Sequence, residues 1–436
     1  MTKITPKERI AIIKSLQGGV VPAIGLQHIQ VGRRAEVEAL ISDLQNVEDG
    51  AAAVRFIVGR YGSGKTFFLN LIRTVALQRK FIVVQADISP DQRLHGTGGV
   101  ARSLYAELMK NMATKAKPDG GALASVVERW VDEIIHSVKE SGGSDEDVRK
   151  QITQRLRPLQ ELVSGFDFST VMSKYFEGHL SHNDELQSQA LRWLRGEFAT
   201  KTEARAALGV RTIIDDESYY DYLKLWAAFA RLAGYQGMLV NIDELVVLTH
   251  KLTSTVARNN NLEAILRIFN DCLQGKASGI CFIFAGTDEC LEDRHRGLYS
   301  YEALERRLAA NRFADETRAD FSSPVIKLSN LTPEDCFVLL SNIRRVFTSN
   351  KPEQELVSDD GIIAFLENCS HRLGAEYFQN AGRTVLDFVQ LLSMMEQHPG
   401  TSWSDLLGTK LKASVEASSQ PLSIESNDED LTGFKL

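Results

Sequence analysis

Apolar residues follow two rhythms along this chain. Between residues 4 and 17, Ile10, Ile12, Ile13 and Leu16 fall at helical spacing, and Gly18, Gly19 and Pro22 end that helix. After Ile29-Gln30-Val31-Gly32-Arg33-Arg34 a second helix runs through Leu44, and Asp49-Gly50 turns the chain. Val54-Arg55-Phe56-Ile57-Val58 reads as a short buried strand. A glycine-rich turn follows, then a helix from about Lys65 to Gln78 and a second buried strand, Phe81 to Ala86. Strand, helix and strand within about 35 residues form a βαβ unit, the building block of a parallel sheet.

From Asp87 to Gln236 the strand rhythm stops. Leu104, Leu108 and Met112, and then Trp130, Ile134 and Ile135, recur with helical period, which predicts a mainly helical insertion. Ser141-Gly142-Gly143-Ser144 is its expected flexible joint. Strands return at Met238–Ile242, Ile280–Ala285 and Pro324–Leu328. Beyond Leu331 the chain reads as helical to about Leu411, with Thr332 as N-cap and Pro333 as first helical residue. From about Ser414 it is Ser-rich and acidic (Glu425, Asp428, Glu429, Asp430), the composition of a disordered tail. No internal repeat is visible. The expected division is a core of residues 1–86 and 237–330 interrupted by a helical segment 87–236, then a helical lid 331–412 and a tail 413–436.

Composition narrows the classes. The chain has 436 residues, 43% apolar and 25% charged, which excludes a collagenous, disulfide-scaffold or wholly disordered protein. At about 100–200 residues per domain it holds two to four domains. A net charge of -7 excludes a strongly basic coat but leaves room for a local basic patch. No apolar run approaches the roughly 18 residues of a membrane helix. The charged N-terminus lacks an apolar signal core, so a cytoplasmic protein without membrane contact is expected. Cys272, Cys281, Cys290, Cys336 and Cys369 have no metal-ligand spacing and read as reduced, buried thiols.

The chemistry concentrates in one loop. Gly59-Arg60-Tyr61-Gly62-Ser63-Gly64-Lys65-Thr66 satisfies Gly-x4-Gly-Lys-Ser/Thr between a buried strand and a helix. Its glycines let backbone N–H groups turn inward around a phosphate, and the helix N-terminus adds to that field. Lys65 supplies charge to the β- and γ-phosphates of ATP, and the Thr66 hydroxyl is placed to ligate Mg²⁺. Met238-Leu239-Val240-Asn241-Ile242-Asp243-Glu244 is an apolar strand ending in two acids. Asp243 is expected to hold Mg²⁺ through water, and Glu244 to polarise the attacking water. Buried unpaired carboxylates are costly, so two of them at a strand end call for a function. Thr287, after the strand Ile280–Ala285, is the first candidate to sense the γ-phosphate, and Asp288 the second. Arg306, Arg307 and Arg312 are candidate finger arginines, with Arg307 central. Arg383, at the start of a C-terminal helix, is placed to close over the nucleotide from the lid. Asn350-Lys351-Pro352-Glu353 approaches a guanine-reading motif, but it ends in Glu and follows no strand, so it reads as a loop. These features predict an α/β fold of the P-loop NTPase type.

The order of parts resembles the AAA+ ATPases of the initiator (Orc/Cdc6-like) and STAND neighbourhood. The resemblance is closer to the BrxC/BrxD ATP-binding family of BREX phage-defence systems, and by length to its BrxD side. It is carried by Gly18-Gly19-Val20-Val21-Pro22 with Val31-Gly32-Arg33, by the phosphate loop continuing into Phe67-Phe68-Leu69, and by Leu94-His95. Leu104-Tyr105-Ala106-Glu107-Leu108, Leu191 to Gly196 and Gly234-Tyr235 add to it. It spans about residues 5 to 395, and departs where Gly382 precedes Arg383 in place of the usual proline. It implies an ASCE/AAA+-like parallel sheet with a large helical insertion and a C-terminal helical lid. Carried onto this sequence, it makes Gly32, Arg33, Tyr61, Ser63, Phe67 and Arg383 nucleotide-binding residues beside the loop glycines. It further implies a cytoplasmic bacterial ATPase in a homo-oligomer or hetero-complex with other defence-system proteins.

Two functions follow as expectations. One is an ATP-hydrolysing motor or switch acting on double-stranded DNA or on a DNA-modification complex. The other is a nucleotide-gated scaffold with little hydrolysis. For DNA, the run Arg192, Arg195, Lys201, Arg205 and Arg211 around Trp193 is the candidate phosphate-contacting surface.

Overall fold

The computed structural model describes residues 4–313, 320–349, 356–373 and 381–407. The Asn350–Glu353 loop, the end of the C-terminal helical stretch and the acidic tail lie outside the described residues. The described chain divides into two compact units, residues 31–331 and residues 4–30 with those from 332 onward, Ala381 excepted.

The first unit is built on a parallel sheet of β1 (Ala52–Val58), β2 (Ile82–Asp87), β3 (Met238–Asp243), β4 (Ile280–Gly286) and β5 (Val325–Lys327). Their order is β2-β3-β4-β1-β5. The continuous apolar runs are what a sheet covered on both faces requires. Alternate residues serve two cores. Ile57, Val83, Leu239, Cys281 and Ile283 pack beneath α2 (Arg34–Glu48) and α3 (Lys65–Gln78). Phe56, Val84, Val240, Phe282 and Phe284 face the helical insertion, with Phe56 and Phe284 stacked at 5.2 Å. The α/β class read from the strand rhythm is the one that forms.

The insertion holds α4 (Val100–Lys110), α5 (Leu123–Glu140), α6 (Asp145–Gln160), α7 (Gly165–Leu180), α8 (Asp184–Leu194), α9 (Lys201–Leu208) and α10 (Tyr219–Leu232). All join one core around Trp130, Trp193 and Trp226. Tyr105 links two of its helices, accepting from Trp226 Nε1 at 2.9 Å and donating to Leu194 O at 2.8 Å. The expected flexible joint is a tight helix–helix turn. Ser144 caps α6 in a reciprocal box with Asp147, and a Cβ on Gly143 would lie 2.5 Å from Val138. After β3 come a π-helical turn, Val247–Lys251, and α11 (Thr255–Leu273). After β4 come α12 (Asp288–Glu292) and α13 (Glu302–Leu308).

The second unit packs α1 (Pro6–Gln17) with α14 (Pro333–Phe347), α15 (Asp359–Leu373) and α16 (Ala381–Gln397). Thr332 caps α14 with Pro333 first, as the sequence predicts. One helix differs from expectation: α1, assigned to the nucleotide-binding core, lies with the C-terminal helices. Its Ile12, Ile13 and Leu16 are buried there, and Arg9 donates to Phe347 O at 2.8 Å and covers the Phe347 ring. Helical periodicity marks an apolar face but not the partner that will cover it.

Candidate nucleotide and catalytic site

The loop between β1 and α3 sits at the carboxyl edge of the parallel sheet, where open α/β folds bind ligands. Gly59 continues β1, donating to Gly286 O at 3.3 Å. A Cβ there would meet Ser63 Oγ at 2.6 Å and Leu328 O at 2.7 Å, so the position admits only glycine. Gly62 and Gly64 take φ of 85° and 86°, the left-handed region that glycine enters without penalty. Among the described residues no side chain caps α3, so its first-turn N–H groups have no side-chain partner there. Ser63 is buried with its hydroxyl unpartnered. Tyr61 is 85% exposed at the loop tip, and Phe67 is half-buried in the first turn of α3.

Lys65 Nζ donates to Gly59 O at 2.9 Å and Arg60 O at 3.0 Å. Burial lowers its pKa, against the opposing pull of Asp243, Asp288 and Glu244. Thr66 Oγ1 donates to Asp243 Oδ2 at 3.4 Å, joining residues 177 apart in sequence. β4 lies between their two strands, so the loop reaches across it to the acid. Asp243 Oδ1 accepts from Glu244 N at 2.7 Å. Burial pushes the Asp243 carboxyl up to about 6, with Asp87 and Glu244 adding to the rise and Lys65 opposing it. This donor set fits a divalent cation: carboxylates and a hydroxyl, with more negative charge than Lys65 balances.

Glu244 has φ +62°, unusual for a side-chain-bearing residue. Asp87 was not singled out from the sequence, yet it ends β2 in register with Asp243. An acid closing the second buried strand was the available signal.

Gly32 has φ +62°, and Arg33 follows at φ +60° as N-cap of α2. Arg33 reaches the phosphate loop itself, its Nη2 lying 3.4 Å from Ser63 O, and it also donates to Ser329 O. Thr287 Oγ1 accepts from Cys290 N at 3.1 Å as the cap of α12. Asp288, its neighbour, acts on Lys65 electrostatically.

The arginines are placed differently. Arg306 pairs with Glu302 on its own helix. Arg307 donates to Asn270 Oδ1 at 3.0 Å and Ala303 O at 2.7 Å, so its contacts are with α11 and α13. Arg312 lies in an exposed turn after α13. Arg383 is exposed near the start of α16, in the second unit. In the basic run, Arg192 pairs with Glu203 at 3.1 Å and Arg195 with Glu197 at 2.6 Å. Trp193 is fully buried, donating to Thr212 O at 2.9 Å.

Among known families, the profile described as "BREX system ATP-binding protein BrxC/D" matches residues 4–411. No curated protein matches the chain. Among solved structures, Cdc6p of Pyrobaculum aerophilum is similar at 13% identity with a TM-score of 0.35, over 84% of this chain and 62% of that one. The match thus spans less than two thirds of that protein's length.

Proposed function

Since the chain belongs to the BrxC/BrxD family of BREX system ATP-binding proteins, we propose that it binds ATP with Mg²⁺ at the β1–α3 loop and hydrolyses it. The observation that carries this reading is the approach of Thr66 Oγ1 to Asp243 Oδ2, which joins phosphate loop and acidic strand in one site. Lys65 moves from the Gly59 and Arg60 carbonyls to the β- and γ-phosphate oxygens. The N–H groups of Gly62, Gly64, Lys65, Thr66 and Phe67 surround the phosphates, with Gly59 at the base of the loop, and Gly32, Arg33 and Ser63 hold the loop in shape. Thr66 and Asp243 would hold Mg²⁺, which when bound would supply positive charge against the phosphates. Glu244 takes a proton from the water attacking the γ-phosphorus. The bond to the β–γ bridging oxygen breaks, releasing ADP and inorganic phosphate. Thr287 senses the γ-phosphate. Arg307 is the candidate finger toward a neighbouring subunit.

The setting is cytoplasmic phage defence, in which turnover drives a motor or switch on double-stranded DNA or on a DNA-modification complex. No described helix is long and apolar enough to cross a membrane. A second reading, the nucleotide-gated scaffold for defence partners, draws support from two observations. The glutamates at Arg192 and Arg195 neutralise part of the basic run. Leu162, Val163 and Phe166 stand 43%, 65% and 68% exposed around the α6–α7 turn, an apolar surface suited to protein contact.

Steady-state ATP hydrolysis with and without duplex DNA, beside Lys65→Ala, separates the two. Turnover that rises with DNA and vanishes in the variant supports the motor or switch. Near-zero turnover in every condition rejects it in favour of the scaffold.

A further inference from the structure

The segment after Glu244 does more than connect β3 to α11. Glu244 leaves the strand in a left-handed conformation that is unfavourable for a side-chain-bearing residue and persists only where the surroundings enforce it. The next residue is sutured to the neighbouring strand, Leu245 N donating to Ala285 O at 3.0 Å. The chain then forms the π-helical turn Val247–Lys251, a rare geometry that recurs at functional sites. Leu245, Leu248 and Thr249 are buried and anchor its inner side.

Its outer side is held by His250. The Nε2 of His250 donates to Asp293 Oδ2 at 3.2 Å and lies 3.5 Å from Glu289 Oε1, while Nδ1 is 2.8 Å from Thr249 Oγ1. Asp293 is itself fixed, its Oδ1 accepting from His295 N at 2.7 Å. Thr249 also lies beside the Cys290 thiol. Glu289, Cys290 and Asp293 all follow Thr287, so the imidazole ties the turn leaving the acidic strand to the helix leaving the sensor strand.

We propose that His250 is a positioning residue: its bond to Asp293 clasps the π-helical turn to α12 and so holds Glu244 in its strained, catalytically oriented backbone. The inference rests on the hydrolytic reading of Glu244. It assigns His250 no contact with ATP. Its role is to keep the carboxylate aimed and to link that aim to the Thr287–Asp288 side of the site.

The test uses the full chain with His250→Ala, His250→Gln and Asp293→Asn. In His250→Ala and Asp293→Asn, kcat for ATP should fall about tenfold, with KM and nucleotide Kd within about twofold of the parent. His250→Gln, whose amide can donate to Asp293, should regain most of the loss. Hydrogen exchange of the amides of residues 245–252 should quicken in His250→Ala and slow again in His250→Gln. Parent-level kcat in His250→Ala, a glutamine variant as slow as alanine, or a joint loss of kcat, affinity and thermal midpoint overturns the proposal. If the parent itself does not turn over, the hydrolytic reading fails and the catalytic use of Glu244 with it. Exchange still judges the clasp in that case, and unchanged protection in His250→Ala overturns it.

Discussion

Two helices in this chain start from the same glycine device, and they are completed in opposite ways. Before α3, Gly62 and Gly64 take positive φ and, among the described residues, no side chain caps the helix. Before α4, Gly98 and Gly99 take φ of 76° and 91°, and the Asp216 carboxylate fills the resulting cradle. Asp216 Oδ2 accepts from Gly99 N at 2.7 Å, and Oδ1 from Ala101 N and Arg102 N, both at 2.9 Å. The second cradle is occupied by the chain's own anion, so Asp216 is expected to be structural. Losing one helix cap costs about 1 kcal/mol, and charge-assisted bonds stand above that. With three N–H groups released beside partly buried backbone, Asp216→Ala should destabilise the protein by about 2–3 kcal/mol. Asp216→Asn keeps the oxygen that serves Ala101 and Arg102 but sets an amide N–H against Gly99 N–H, so about half that loss is expected. Urea denaturation followed by tryptophan fluorescence reads the change, because Trp130, Trp193 and Trp226 lie in the same core. ATP affinity should be unchanged in both variants. Equal stability of Asp216→Ala and parent, or weakened ATP binding without loss of stability, would refute the assignment of the two cradles.

Glu244→Gln should lower ATP turnover by about 100-fold or more while ATP still binds, as a fluorescent-nucleotide titration beside a phosphate-release assay will read; parent-level turnover sinks the general-base role. Arg55→Met should destabilise the sheet by about 3–5 kcal/mol, seen in the unfolding midpoint. It strands buried Asp43, which Arg55 bonds at 2.5 and 2.9 Å, and releases the Phe321 carbonyl beside β5. Joint reversal of Arg192 and Arg195 to Glu should leave duplex affinity within about twofold at fixed salt, since both guanidinium groups already pair with glutamates. A large loss with a flattened salt dependence would restore that surface as a DNA contact.

The phosphate loop was legible because its chemistry is local. Backbone N–H groups, a lysine and a hydroxyl must occur at fixed spacing before a helix, and Gly59 to Thr66 carry them in consecutive positions. The acid pair Asp243-Glu244 was legible as an exception, two carboxylates ending an apolar strand. The α3 boundaries and the Thr332 cap followed from glycine, threonine and proline at the ends of periodic stretches. Less accessible was how side chains would fold against one another. Glycines at 142 and 143 suggest looseness, yet Ser144 and Val138 turn them into a tight corner. A basic run suggests an anion surface until Glu197 and Glu203 fold against it.

The sequence by itself determined the local parts: buried strands, a glycine-rich turn before a helix, an apolar strand ending in two acids, and a long helical insertion. These depend on spacing along the backbone and on side-chain polarity, both written in order along the chain. Only the tertiary structure decided how the parts meet. It put β4 between the loop and acid strands, brought Asp87 into register with Asp243, grouped α1 with the C-terminal helices, and spent Asp216 and His250 on partners far away in sequence. The physical reason is that an apolar face or a lone charge specifies only that it needs a partner. Which partner it finds is chosen by the packing of the whole chain.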